Sequence, residues 1–296
     1  TTMRHSARAL RREPAYAAIA IVTLAIGIAS AILILGLVRY CWQYNAEVPD
    51  VEHVYVVKQR DNVDPTGPWY DQAPLLLRSV AAAAPGVAAA TGYLPSRPET
   101  AGLTVNVDGK LHALKSLTVL PGFVEMLGLR AVRGDLATAL GAPDQIAVTE
   151  LTAMRLFGTK QALGRSLFAE GKLLRVGAVL RTPAANTTMP FEALLGTDST
   201  LAADVRDEMR TGLKGWPGKL LVRMNTGASV PMLVRQLQDA VDAAPALHQQ
   251  APEIKARLGV RPVMDIALAR LDAAYFDTGI KGNFIASAGQ RGDPVV

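Results

Sequence analysis

The sequence predicts an α+β protein with one transmembrane helix near its N-terminal end and a two-lobed outer domain. The stretch from Tyr16 to Val38 has no charged residue over 23 positions. A helix of that length reaches about 35 Å, which suffices for a bilayer core of roughly 30 Å. After it, β-branched runs alternate with helical periodicities, which indicates β-α-β units.

A secretory signal peptide is the main alternative for this stretch, because basic residues precede it. Signal peptides have apolar cores of only about 7 to 15 residues, followed by a small-residue cleavage site. The best such site, Ala29 to Ala31, is followed by seven more uncharged residues of the same stretch. We therefore expect a membrane helix over residues 15–42 that stays attached as an anchor.

The flanks of this helix predict its orientation. The first 14 residues carry +3 of the chain's formal +5, so the positive-inside rule places the N-terminus in the cytoplasm and the chain from about Tyr40 outside. Residues 1–14 are expected to form an interfacial segment whose basic side chains contact the lipid bilayer. These side chains are Arg4, Arg8, Arg11 and Arg12. The rest of the chain has a net charge of only +2, which gives no basis for a nucleic-acid partner.

The outer domain shows the same order of elements twice. A strand over 53–58, a helix over 72–84 and a strand over 86–94 form the first β-α-β unit. A hairpin signal follows at Asp108-Gly109. A strand over 219–224, a helix beginning after Ser229 and a strand over 260–268 form the second unit.

A β-rich section lies between these two units, and a loop is predicted in it over 137–143. We therefore predict a β-rich lobe inserted into an α/β lobe, with these boundaries: 43–120 for the first part of the α/β lobe, 121–198 for the inserted lobe, 199–271 for the second part and 272–296 for a connector.

Three small residues of the membrane helix share one face. Thr23, Gly27 and Ala31 are spaced at i, i+4 and i+8, and small side chains let another helix approach closely. We expect this face to pack against a second helix. The alternative is that small residues are simply common in membrane helices.

No pattern in the chain predicts catalysis or metal binding. The four histidines are far apart, Cys41 is the single cysteine, and no nucleophile motif occurs. The segment Gly158–Ser166 looks like a phosphate-binding loop, but five residues separate its glycines and Arg165 follows instead of lysine. A turn between a helix and a strand is the expected structure there. We expect no enzyme activity, no metal and no bound cofactor.

Five segments together carry a resemblance to a known family. The opening ALRREPAYAAIAIVTLAIGIASA is followed by FVEMLGLRAVRGD, IAVTELTAMRLFG, ALGRSL and LLRVGAVLRTPAANTTMPFEALL. In order and approximate spacing they resemble the MacB-like periplasmic core region of FtsX-type ABC transporter permeases. The resemblance runs from about Arg4 to Asp277. One departure is Gly134-Asp135, where many members have Gly-Arg.

The resemblance implies a permease subunit in a bacterial inner (plasma) membrane, with the outer domain in the periplasm. Members have four membrane helices, so the chain is expected to correspond to the N-terminal part of a permease, truncated before the second helix. Members dimerise and pair with a separate cytoplasmic ABC ATPase, which binds the ATP. Their periplasmic domain couples ATP hydrolysis to export or to mechanical work. It can also bind a periplasmic partner.

Two other functions remain open from the sequence. A stand-alone, single-span periplasmic binding or assembly module would need no ATPase. An anchored envelope enzyme would need a catalytic cluster that the sequence does not show.

Overall fold

The computed structural model describes residues 14–95, 102–212, 215–249, 252–273, 277 and 280. It contains two compact units: an N-terminal helix with the residues up to Tyr44, and an outer domain that begins at Asn45.

The N-terminal helix α1 spans Pro14–Trp42. Proline is favourable at a helix start, because the N–H that it lacks would have no partner in the first turn. The large apolar side chains from Ile19 to Leu37 are 52% to 74% exposed, so α1 is not the core helix of a soluble domain. Its segment Ala18–Trp42 is the one candidate membrane span within the described residues. The predicted apolar helix is confirmed.

The outer domain is built on a mixed sheet, to which the described residues contribute thirteen strands. The strands are β1 (Val54–Asp61), β2 (Ala73–Pro74), β3 (Val87–Pro95), β4 (Leu103–Val107), β5 (Lys110–Leu114), β6 (Ser116–Val119), β7 (Ala131–Gly134), β8 (Gln145–Thr149), β9 (Ser166–Ala169), β10 (Lys172–Leu180), β11 (Ala193–Gly196), β12 (Pro217–Met224) and β13 (Met264–Arg270). Their order is β13-β1-β12-β3-β6-β11-β8-β10-β9-β4-β5, while β2 pairs with β12 and β7 with β10.

Short helices cover the faces of this sheet. The described α-helices of the outer domain are α2 (Leu77–Ala83), α3 (Phe123–Met126), α4 (Leu136–Gly141), α5 (Glu150–Phe157), α6 (Ala203–Thr211), α7 (Val230–Ala243) and α8 (Pro252–Leu258). Two 3₁₀ turns, Val51–His53 and Pro245–His248, complete the set.

The two predicted β-α-β units are present and interleaved. Strand β12 lies between β1 and β3 and is antiparallel to both, so β1 and β3 are parallel and α2 lies in the connection between them. Strand β1 in turn separates β12 from β13 and is antiparallel to both, so the second unit connects β12 to β13 through α7. This arrangement is a split β-α-β fold.

Helix α7 forms as its sequence predicts. The Ser229 hydroxyl accepts a hydrogen bond from the Met232 backbone N–H at 3.4 Å, which caps the first turn. Leu233, Leu237 and Val241, one turn apart, are all buried. They pack in one apolar cluster with residues of α2, β3 and β12.

The predicted loop over 137–143 is wrong for its first five residues, 137–141, where the structure has α4. Asp135 accepts a hydrogen bond from the Thr138 backbone N–H at 2.7 Å, an N-cap that starts the helix. A hydrogen bond from the Thr138 side chain, and then the one from its backbone N–H, lower the pKa of Asp135. Leu136 and Ala139 are buried on the sheet. The Asp135 departure from the Gly-Arg pattern thus has a structural role in this chain.

The hairpin at Asp108-Gly109 is confirmed. Both residues have positive φ, 50° and 81°, as a two-residue type I′ turn requires. Strand β4 of the hairpin pairs with β9, and Leu103 and Val105 pack with residues of β8, β9 and β10. The hairpin, assigned from sequence to 43–120, therefore lies with strands of 121–198. The exact lobe boundaries stay a prediction.

A buried ion pair lies where β12 meets β2 and β3. Lys219 Nζ is 2.5 Å from Asp71 Oδ2, and the two side chains are 1% and 8% exposed. Tyr93 lies opposite Lys219 on β3 and packs edge-to-face on Phe123, with ring centroids 5.4 Å apart. Burial, and the negative charge of Asp71, raise the pKa of Tyr93 well above its ordinary value. The hydroxyl of Tyr93 therefore stays neutral beside this pair.

Removing one partner of this ion pair should destabilise the domain strongly. For Lys219→Met we expect a loss of about 3 to 5 kcal/mol in the free energy of unfolding, because Asp71 would remain buried without its cation. The double variant Asp71→Leu/Lys219→Met should recover most of that loss. Denaturant unfolding of the full chain in detergent measures both.

Lys110→Met is the matched control, since Lys110 is an exposed lysine at the start of β5. It should change stability by no more than about 0.5 kcal/mol. A double variant as unstable as Lys219→Met would contradict the prediction.

Candidate functional site

The predicted helix-packing residues all lie on α1. Their i, i+4, i+8 spacing places them within one stripe of the helix. A methyl group added at Gly27 would meet no atom within 4 Å, and the Thr23 hydroxyl donates to the Ile19 carbonyl at 2.9 Å. The stripe of Thr23, Gly27 and Ala31 therefore has room for another helix at Gly27. Its packing role stays a prediction. The basic flank Arg4, Arg8, Arg11 and Arg12 lies outside the described residues.

The segment that looks like a phosphate-binding loop is a turn, as expected. It connects the end of α5 at Phe157 to the start of β9 at Ser166. The Gly164 N–H donates to the Val176 carbonyl at 2.8 Å, and the Arg165 N–H donates to the Ala162 carbonyl at 3.0 Å. These amides are therefore not available to a phosphate. No group of three His, Cys, Asp or Glu that could hold a metal occurs in the described part of the chain.

Asn45, the first residue of the outer domain, is the centre of a buried hydrogen-bond network. Its side chain is 2% exposed. The Oδ1 atom accepts from the Thr188 backbone N–H at 2.8 Å, from the Thr188 hydroxyl at 3.0 Å and from the Thr187 hydroxyl at 3.3 Å. The backbone N–H donates to the Asn186 carbonyl at 3.0 Å. Three successive residues of one loop are thus held by one asparagine.

The Asn45 side chain also binds the backbone directly after β13, far away in the sequence. Asn45 Nδ2 donates to the Leu271 carbonyl at 3.1 Å, across 226 residues of sequence. The Leu271 N–H donates to the Val54 carbonyl at 2.8 Å. Asn45 opens the domain and Leu271 directly follows β13. The segment that precedes β1 and the residue that follows β13 are therefore joined.

Arg223 makes a second attachment for the entering chain. Its Nη2 atom donates to the Pro49 carbonyl at 2.8 Å and to the Met126 carbonyl at 2.6 Å. A methyl group added at Gly128 would meet Pro49 Cγ at 2.7 Å, so glycine is what lets this segment lie against α3 and its following turn. Residues 45–50 are thereby fixed to β12 and to α3. We call residues 45–50, the loop 186–189 and Leu271 the junction site.

The backbone of Asn45 explains why asparagine suits this position. Its φ is 58°, in the left-handed region, which asparagine tolerates better than other residues with a side chain except aspartate. The same residue thus supplies both the turn and the amide group. Sequence reasoning missed it, because the stretch Tyr44-Asn45-Ala46 carries no local motif and its partners are far away in the chain.

The comparisons with known proteins agree with this architecture. Residues 17–240 match the family model of the MacB-like periplasmic core domain. The chain belongs to this family. No curated protein matches it.

Three solved structures are similar to the chain. A domain from Porphyromonas gingivalis, described as part of a permease, has 18% identity and a TM-score of 0.57, covering 75% of this chain and 92% of that one. The periplasmic region of MacB from Actinobacillus actinomycetemcomitans has 10% identity and a TM-score of 0.46, covering 75% and 90%. The extracellular domain of the ABC-type transporter YknZ from Gram-positive bacteria has 10% identity and a TM-score of 0.46, covering 71% and 98%. The first of these shares the fold of the outer domain.

Family membership confirms the resemblance read from the sequence. It supports the identification of the outer domain as the periplasmic domain of an ABC transporter permease of the MacB and FtsX kind. The apolar helix α1 fits a protein of the inner membrane.

Replacing Asn45 should separate its side-chain role from its backbone role. Asn45→Gly keeps the left-handed backbone but removes the amide, and should cost about 2 to 4 kcal/mol of unfolding free energy because buried partners lose their hydrogen bonds. Asn45→Ala should cost about 1 kcal/mol more, since alanine strains that backbone. Denaturant unfolding of the full chain in detergent checks both values.

Asn225→Ala is the control, since Asn225 directly follows β12, is exposed, and makes no side-chain hydrogen bond within the described residues. It should cost less than about 1 kcal/mol. Equal stability of Asn45→Gly and the wild type would show that the network contributes nothing.

Proposed function

We propose that the chain acts as a permease subunit of an ABC transporter, in which the periplasmic domain couples ATP hydrolysis by a separate cytoplasmic ATPase to export or to mechanical work. Membership of the MacB-like periplasmic core family is the observation that carries this proposal. In this proposal the junction site is the means of coupling.

In this proposal, movement is transmitted to the outer domain on both sides of its sheet-forming segment, before β1 and after β13. In a permease of this family the domain lies between two membrane helices, so movement reaches it through the segments at Asn45 and after Leu271. The Asn45–Leu271 hydrogen bond joins these segments, and Arg223 fixes the first of them to β12 and α3. A displacement of residues 45–50 or of Leu271 is thus passed to the sheet through these hydrogen bonds.

The proposed arrangement in the membrane follows from the charge of the first residues. The basic flank from Arg4 to Arg12 holds the N-terminus at the cytoplasmic surface, where it contacts anionic lipid. The outer domain then lies in the periplasm. A second permease copy completes a dimer, and the stripe of Thr23, Gly27 and Ala31 packs against another helix of the assembly.

Co-purification tests the proposed function. The protein, tagged at its native gene and extracted in mild detergent, should bring down an ATPase in a fixed ratio. In that complex, ATP with vanadate should change hydrogen exchange at residues 186–189 and 269–271 relative to ADP, because the junction site receives the movement. A complex without any ATPase would instead support a single-span module, and this proposal would fail.

A bulky residue in the stripe of α1 should weaken assembly. For Gly27→Leu we expect the assembled complex on a native gel to fall at least threefold, since the larger side chain keeps helices apart. Ala25→Leu, two residues away and so on the opposite side of the helix, is the matched control and should leave the complex unchanged. Equal losses for both variants would mean that the stripe has no packing role.

A further inference from the structure

A cleft of about 640 Å³ lies beside the junction site, within the outer domain. Leu127 and Leu180, both buried, form its floor. Glu47, Arg130 and Arg181 line it as exposed side chains. Its volume is in the range of pockets that hold small molecules or the polar part of a larger one.

The charged groups of this cleft have no partners among the residues that the structure describes. Arg130, Arg181 and Glu47 form no ion pair and no side-chain hydrogen bond within the described residues. Other arginines of the domain do, for example Arg60 with Asp265 at 2.7 Å and Arg155 with Glu192 at 2.9 Å. The cleft thus presents two free guanidinium groups and one free carboxylate.

Two guanidinium groups beside a carboxylate match a particular ligand chemistry. Guanidinium groups bind phosphate oxygens through paired hydrogen bonds, and arginine is preferred for this geometry. A carboxylate repels phosphate but attracts an ammonium group. The combination fits a ligand that carries a phosphodiester and a primary amine close together.

The position of the cleft along the chain indicates where such a ligand comes from. Glu47 is five residues after Trp42, the last residue of α1. A chain of five residues spans at most about 18 Å even when fully extended. The headgroup layer of a bilayer extends about 5 to 8 Å beyond the hydrocarbon core. With α1 in the membrane, Glu47 therefore lies no more than about 18 Å from the end of α1, a short tether that keeps the cleft near the phospholipid headgroups.

We propose that the cleft binds the headgroup of a membrane phospholipid of the phosphoethanolamine type. Arg130 and Arg181 hold the phosphate, and Glu47 accepts hydrogen bonds from the ammonium group. Val132, which lines the cleft and is 50% exposed, contacts the glycerol and the first methylene groups. The bound lipid thereby attaches the turn after α3 and the start of β7 to the bilayer surface.

Native mass spectrometry of the full chain in detergent micelles tests this proposal. Phosphatidylethanolamine, phosphatidylglycerol and phosphatidylcholine are titrated separately, and the lipid adducts are counted. The wild type should bind phosphatidylethanolamine most tightly, because its primary amine can donate hydrogen bonds to Glu47 and the methylated amine of phosphatidylcholine cannot. Arg130→Gln/Arg181→Gln should weaken binding of phosphatidylethanolamine at least tenfold.

The control variant carries the same change in net charge at another place. Arg165→Gln/Arg175→Gln removes two exposed arginines of β10 and of the turn before β9, and should bind lipid as the wild type does. Glu47→Gln should abolish the preference for phosphatidylethanolamine over phosphatidylcholine while it leaves phosphatidylglycerol binding unchanged or tighter. Circular dichroism confirms that each variant is folded.

Two results would overturn the proposal. If Arg130→Gln/Arg181→Gln retains wild-type binding, or if the control variant loses as much, the cleft is not the lipid site. If Glu47→Gln keeps the wild-type preference among the three lipids, Glu47 does not recognise the amine. Neither result depends on the presence of an ATPase, so the test is independent of the proposed transport function.

Discussion

The outer domain depends on the short line of backbone hydrogen bonds between β3 and β6. Three residue pairs join these strands, from Tyr93 with Val119 to Pro95 with Leu117, and they connect the split β-α-β half of the sheet to the strands that follow. The buried Lys219 and Asp71 pair lies at the same place. Because a slip of one residue would turn Lys219 to the opposite face, the ion pair fixes the register of β12 against its neighbours β2 and β3.

The parts of this fold that were predictable from sequence have local causes. Helix α1 is determined by composition alone, the β4–β5 hairpin by the φ angles that Asp108-Gly109 permit, and α7 by Ser229 and an apolar side chain at each turn. Each of these signals lies within about twenty residues. Such signals can be read without knowledge of the surrounding structure. The two β-α-β units were predicted from signals of this kind.

The junction site and the buried ion pair could not be predicted in this way, because their partners are distant in sequence. Asn45 binds Leu271 across 226 residues, and no spacing rule relates the two. Helix α4 was missed for a different reason: the Gly and Pro residues after Ala139 suggested a loop, and the Asp135 cap acts on only one turn. Helix α8 was missed too, and β13 begins four residues later than expected.

The antiparallel pairing of β1 with β13 has a mechanical consequence. Strand β1 begins and β13 ends at the same end of this ladder, which continues for seven residue pairs from Tyr55–Arg270 to Asp61–Met264. A force that pulls Asn45 and Leu271 apart therefore unzips the ladder one residue pair at a time, beginning at Tyr55–Arg270. A force that moves both ends together leaves every bond intact. The ladder thus yields to a separation of its two ends but not to their joint displacement, and the Asn45–Leu271 hydrogen bond is the first to break.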